Sequence, residues 1–263
     1  MGSFDHGFAG MASLRAINQW IGVINSNLGG ANRTAYKSTK VSFTGLVSRV
    51  DRDPRSDING LQFPDTSLAI GFTRVDFAQG TIVQDGELTH LALSGDGFFA
   101  ITTGGPATVA GNALTYRNDI FFTRDGEFRW TVIGTNTILT TAGGLTVLGR
   151  DGNEIRRIGN GTTFSVTTTT VTGANNCVGI FRFVNNQALK FSKYGSTVFD
   201  AAQAGVIAQI TDAEILQSAL ESSNSSLSDT LPELSLAQKM FSAISKIINV
   251  NNEDLDVCIN LIR

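Results

Sequence analysis

The chain has 263 residues, of which 41% are hydrophobic and only 16% charged, and its net charge is −3. That balance excludes a disordered polyelectrolyte, and the lack of a basic block argues against a nucleic-acid partner, because such binding rests on clustered Lys and Arg. Gly is abundant (28) and Pro rare (4), which points to an ordered, turn-rich protein large enough for one big domain or two ordinary ones.

The first segment, "MGSFDHGFAGMASLRAINQW", has no basic start followed by an apolar core, so it does not read as a Sec signal peptide. No stretch reaches the ~20 apolar residues that span a bilayer. These features predict a protein that is cytoplasmic, or exported by a route needing no cleaved signal. Residues 10–32 read as a helix. Leu14, Ile21 and Leu28 stand seven apart, with Ile17 and Ile24 between them, which is an a/d stripe. The glycines of "NLGGAN" end it.

Residues 40–210 have another character. Runs such as "GTTFSVTTTTVTG", "GIFRFVNNQALKF" and "GDGFFAITTGG" alternate β-prone residues with Gly, Asn and Asp, as an antiparallel all-β domain does. "RDGEF", "GRDGNEI" and "VNNQAL" supply its turns.

The helical period returns near residue 212, with Thr211 or Asp212 as a cap and a polar break at 222–226. Pro232 suits the first turn of a last helix running to about 260. Leu227, Leu234, Phe241, Ile248 and Leu255 keep the seven spacing, with Ala237, Ile244, Asn251 and Cys258 at the complementary position. Neither terminal stripe can bury itself alone. The economical arrangement pairs the two ends with each other and leaves surplus seam for further copies. A short heptad is also what one face of any amphipathic core helix looks like, and for the N-terminal helix that plainer reading stands beside the coiled-coil one.

The fold class expected is therefore α+β. Discontinuous N- and C-terminal helices form a coiled-coil layer, and an antiparallel all-β domain lies between them. The divisions are 1–40 for the N-terminal helical part, 41–70 for a connector, 71–211 for the β domain and 212–263 for the C-terminal helical part.

Catalytic constellations are scarce. His6 and His90 are the only histidines, too few for a metal cluster or a Ser/His/Asp set. "GDGFF" lacks the third glycine of a dinucleotide loop and reads as a tight turn. "DRDPRSDING" fails as a calcium loop at Arg55 and has no well-placed Glu. Asp125 and Glu127 read as turn carboxylates. Cys177 and Cys258 lack the pairing density of a stapled domain and read as free, buried thiols. No enzyme, cofactor or metal is expected.

Three stretches in order resemble the bacterial flagellar rod and hook family of axial proteins. "GFAGMASLRAINQWIGVINSNLGGANRTAYKSTKVSF" is similar to its N-terminal motif, at Gly10–Met11, Asn27–Leu28, Asn32 and Tyr36–Lys37. "FAQGTIVQDGELTHLALSGDGFF", followed by "FTRDGEF" and "TTAGGLTVLGRDGNEI", resembles its central strands. "LQSALESSNSSLSD" and then "LAQKMF" resemble its C-terminal segment. Ala35 stands where the family usually has Gly, and His90 where it usually has Asp.

The resemblance covers nearly the whole chain and, without a large inserted outer domain, looks most like the distal rod protein. It implies a structural subunit of the basal-body rod that self-assembles into a torque-transmitting tube and export channel. Helices at both ends would line the tube, and export would run unfolded through the type III apparatus. Partners implied are further copies, other rod and hook proteins, the export apparatus and surrounding ring proteins. The expected subunit interface is Leu14, Ile17, Ile21, Ile24 and Leu28 against Leu227, Leu234, Phe241, Ile244, Ile248 and Leu255. Two alternatives stay open: a hook-type or other tubular appendage subunit of the same family, and a carbohydrate-binding β module on a coiled-coil stalk.

Overall fold

The computed structural model describes residues 3–51, 63–110, 113–115, 117–157, 177–202, 208–209 and 213–261. Most of "DRDPRSDING", the Thr-rich run at 161–173 and the cap at Thr211 or Asp212 lie outside these residues. The described chain has two long helices and seventeen strands, and every strand pairing is antiparallel. It divides into two compact units. One holds residues 1–29, 39–76 and 226–263, and the other residues 30–38 and 77–225.

The first unit contains α1 (Ser3–Gly30), β1 (Thr39–Asp51), β2 (Phe63–Val75) and α2 (Leu227–Leu261). β1 and β2 form a two-stranded antiparallel ribbon with irregularities at Ser42/Phe43 and Gly45/Ser48. Two side chains fasten this ribbon to α1. Asn27 Nδ2 donates to Thr39 O while Thr39 N donates to Asn27 Oδ1, each at 2.8 Å. Ser13 Oγ accepts Leu68 N at 2.9 Å. An isolated ribbon is marginal in water, and here the edge of Phe43 meets the Trp20 ring at 5.2 Å.

The second unit is the β domain. Its strands run β3 (Ile82–Gln84), β4 (Leu91–Ser94), β5 (Phe98–Thr102), β6 (Val109–Ala110), β7 (Ala113–Leu114) and β8 (Ile120–Thr123). They continue with β9 (Phe128–Ile133), β10 (Asn136–Thr141), β11 (Thr146–Val147), β12 (Ile180–Arg182), β13 (Lys190–Ser192) and β14 (Gly195–Asp200). β15 (Ala208–Gln209), β16 (Glu214–Gln217) and β17 (Ala219–Glu221) complete it.

The central path is β13-β14-β8-β5-β12-β15-β7-β6, with β11, β10 and β9 branching from β5. The continuous apolar runs "FFAI" and "IFF" make β5 and β8 buried on both faces, because alternate residues enter opposite core layers. Phe99, Ile101 and Phe121 pack with Leu91, Phe128 and Val147. Phe98, Ala100 and Phe122 pack with Phe181, Phe183 and Phe199. Gly126 is required where it stands, since a Cβ there would lie 1.6 Å from Leu91 O.

Three expectations are corrected. The helical period assigned from residue 212 is absent, because Glu214–Gln217 pairs with β4 and Ala219–Glu221 with β3. Strand partners override a 3.6-like pattern over so few residues, and Ser218 at φ 56° turns the chain between the two pairings. Second, α2 begins at Leu227, so Pro232 lies inside the helix and not in its first turn. Third, both cysteines are free and Cys177 is buried, but Cys258 is exposed on α2. "GDGFF" does form a turn, with Gly95 at φ 104° and Gly97 at φ 131°. No helix among the described residues is long and apolar enough to cross a membrane.

Candidate assembly interface

The first unit joins the two ends of the chain. Ile17, Ile24 and Ala237 are at most 1% exposed and form the centre of one apolar cluster. Trp20, Ile21, Leu68, Leu234, Met240, Phe241 and Ile244 pack around it. The methyl of Ala237 permits close approach of the helices, since a larger side chain at a fully buried contact would force them apart. Gly10 serves the same purpose further along, where an added Cβ would come within 2.9 Å of Ile248 Cγ1.

The residues anticipated as an interface therefore divide. Ile17, Ile21 and Ile24 meet Leu234, Phe241 and Ile244 inside one chain. Leu14, Leu28, Ile248 and Leu255 are half-buried outside that cluster, and Leu227 is 46% exposed.

α2 carries a second stripe. Leu236, Ala243, Val250 and Val257 stand seven apart, and Met240, Ile247, Asp254 and Leu261 fill the complementary position. Apart from Met240, which reaches the shared cluster, these residues are exposed, Leu236, Ile247, Val250 and Val257 by 53–59% and Leu261 by 81%. At 100° per residue this stripe faces roughly 115° away from the one that meets α1. A groove of about 810 Å³ runs beside it, lined by Gly10, Ser13, Leu68, Ile244, Ile247 and Asn251 among others. Sequence reading passed over this stripe, although the seven spacing from Leu236 was a visible signal.

In the β domain a polar cluster sits among buried groups. Lys37 Nζ donates to Glu221 Oε1 at 2.6 Å and to Ala78 O at 2.7 Å. Glu221 also accepts Gly80 N at 2.8 Å through Oε1 and Arg124 Nη1 at 3.2 Å through Oε2. Asn224 completes the arrangement, with Oδ1 accepting Ser38 N at 2.7 Å and Nδ2 donating to Ala78 O at 3.1 Å. Lys37 and Glu221 are shielded from solvent, and so is Arg124 to within 3%, so every charge has a partner where none can be left alone. Nearer the surface, His90 Nδ1 pairs with Asp85, whose carboxyl is held below its ordinary value mainly by that hydrogen bond. These charged and amide side chains are engaged in holding segments together. Trp20 is packed on Phe43 and Trp130 against the core, so neither forms a displayed aromatic platform.

No family model matches the chain. It is 27% identical to the flagellar basal-body rod protein FlgG of Bacillus subtilis over 277 aligned positions, covering 97% of this chain and 98% of that protein. It is 27% identical to FlgG of Agrobacterium fabrum, covering 88% and 89%. The flagellar hook protein FlgE of Helicobacter pylori is 32% identical over 163 positions, but those span 59% of this chain and 21% of the hook protein. The chain is thus similar along nearly its whole length to the flagellar rod protein FlgG and over part of its length to flagellar hook proteins.

Proposed function

We propose that the chain is a structural, non-enzymatic subunit of the flagellar rod that polymerises into a helical tube, transmits torque and encloses an export channel. The observation that carries this reading is the exposed seven-spaced stripe on α2, which stays open to solvent among the described residues. Exposed apolar stripes of that length are removed from water by association. Repetition of one such contact from copy to copy builds an open helical polymer, and closing on itself would end growth.

In this reading the paired helical ends, α1 and α2, form a coiled-coil inner layer and the β domain an outer one. Leu14, Leu28, Leu227, Ile248 and Leu255, all only partly buried in one copy, add to contacts between copies. Torque passes because bending the tube must separate close-packed apolar surface. Other rod and hook proteins, the type III export apparatus and surrounding ring proteins are the partners, and the basal body spanning the periplasm is the location.

Electron microscopy of the concentrated protein tests this. Straight tubes of uniform width support a rod subunit. Curved tubes would transfer the chain to the hook-type reading, and a persistent monomer would refute assembly through its ends.

A further inference from the structure

The loop between α1 and β1 is closed at its base. Asn27 and Thr39, both in the first unit, are joined by their reciprocal hydrogen bonds at 2.8 Å. Residues 30–38 between them group instead with the β domain. The loop is also packed on itself. Arg33 N donates to Gly30 O at 3.0 Å, and the Tyr36 ring lies so near Gly30 that an added Cβ there would come within 2.4 Å of Cε1. A loop of this length with joined ends and its own filling holds its shape by itself.

Its hold on the β domain is discontinuous. None of residues 31–38 belongs to a strand. Arg33 Nη1 donates to Ser196 Oγ at 2.6 Å, and the Thr34 hydroxyl to Asp125 Oδ1 at 3.0 Å. Ala35 N donates to Glu221 O at 2.7 Å, and Tyr36 O accepts Asn224 N at 3.2 Å. Lys37 reaches Ala78 O and Glu221, and Ser38 N reaches Asn224 Oδ1. These bonds run to separate stretches of chain, with no continuous ladder to zip them.

The receiving side stays satisfied without the loop. Glu221 keeps Gly80 N and Arg124 when Lys37 leaves, and β17 keeps its pairing with β3. Asp125 keeps Glu127 N. Asp125 and Asn224 are only partly buried, so water replaces the donors they lose. Segments held in this way open at a lower free energy than the core strands.

We propose that residues 31–38 are a clasp, which withdraws from the β domain as one piece while the strands stay paired and the Asn27–Thr39 base stays closed. Closed, the clasp fixes the segment joining α1 to β1 on the β domain; open, that segment is held by its base alone.

Native-state hydrogen exchange of the dilute full chain, in urea below the unfolding transition, tests this. The amides of Ala35, Ser38 and Asn224 should share one protection factor, at least tenfold below those of Leu139 and Leu148, whose amides bond Ile155 O and Ala100 O. Their urea dependence should be shallow, because little surface is exposed. Thr39, at the base, should stay more protected than all three. Ile155→Val, in the core away from the loop, should lower the Leu148 protection about fivefold and leave the three clasp amides unchanged. Thr34→Val should lower all three together, again about fivefold. Clasp amides that follow Leu148 in Ile155→Val open only with the whole domain, which overturns the proposal. So does Thr39 exchanging at their rate, or Thr34→Val acting on Ala35 alone.

Discussion

Lys37 and Glu221, 184 positions apart in sequence, meet at 2.6 Å with both side chains fully screened from solvent. Ala78 O also accepts from Lys37, and Glu221 also accepts from Gly80 N and Arg124, while Asn224 bonds Ser38 and Ala78 alongside. The cluster lies within the β domain close to three of the four places where the chain enters or leaves it, near residues 38, 77 and 225. A buried pair of this kind contributes little compared with an apolar replacement of both partners, but losing one partner strands the other charge. Glu221→Gln is expected to destabilise the β domain by about 3–5 kcal/mol, read as a fall in the urea midpoint at constant slope. A change below about 1 kcal/mol would mean that Lys37 finds water or another anion.

Ala35 adopts φ 52°, in the left-handed region that costs a residue with a Cβ about 1–2 kcal/mol. It holds that conformation because its N–H donates to Glu221 O at 2.7 Å and the neighbouring Tyr36 and Lys37 are buried. Ala35→Gly relieves the strain but gives the unfolded chain more freedom. The net expectation is a gain of roughly 0.5–1 kcal/mol, visible as a higher thermal midpoint. A lower midpoint would show that the turn is not strained.

Asp125 accepts the Thr34 hydroxyl at 3.0 Å and Glu127 N at 3.1 Å. Burial pushes its carboxyl above the ordinary value of 3.8, outweighing these hydrogen bonds. A raised native pKa means that the native state keeps its proton to higher pH than the unfolded chain does. Stability linked to Asp125 is then present below 3.8 and is lost as pH rises through the native value. Asn keeps the acceptor oxygen without the charge. Asp125→Asn should be more stable than wild type at neutral pH, and the advantage should shrink as pH falls toward 4. An advantage that is constant with pH would contradict the burial argument.

The terminal helices were legible because periodicity reports a buried stripe directly. Ile17 and Ile24 stood at one spacing, Leu234 and Phe241 at the same one, and those residues do meet. The strands at 214–221 were illegible because eight residues cannot distinguish a helical period from two short strands, and their identity comes from β4 and β3, more than a hundred residues away. Glu221 was hidden for a similar reason. In a run of Ser and Asn it reads as a solvated charge, and only the fold brings Lys37 to it. The outward stripe of α2 was overlooked because Asp254 interrupts it and Lys239 and Lys246 flank it, so it resembles an ordinary polar face. Its apolar character emerges only once the other stripe is seen to be occupied by α1.

The central claim is that the exposed stripe of α2 holds copies together while its other stripe meets α1 within the chain. Sedimentation velocity of the double variant Ile247→Asp with Val250→Asp, across a concentration series beside wild type, tests it most directly. Both side chains are more than half exposed, so the single molecule should keep its helices, and circular dichroism checks that. The expected result is wild-type protein growing into large species with concentration while the variant stays a folded monomer. A variant that polymerises as wild type does would contradict the claim.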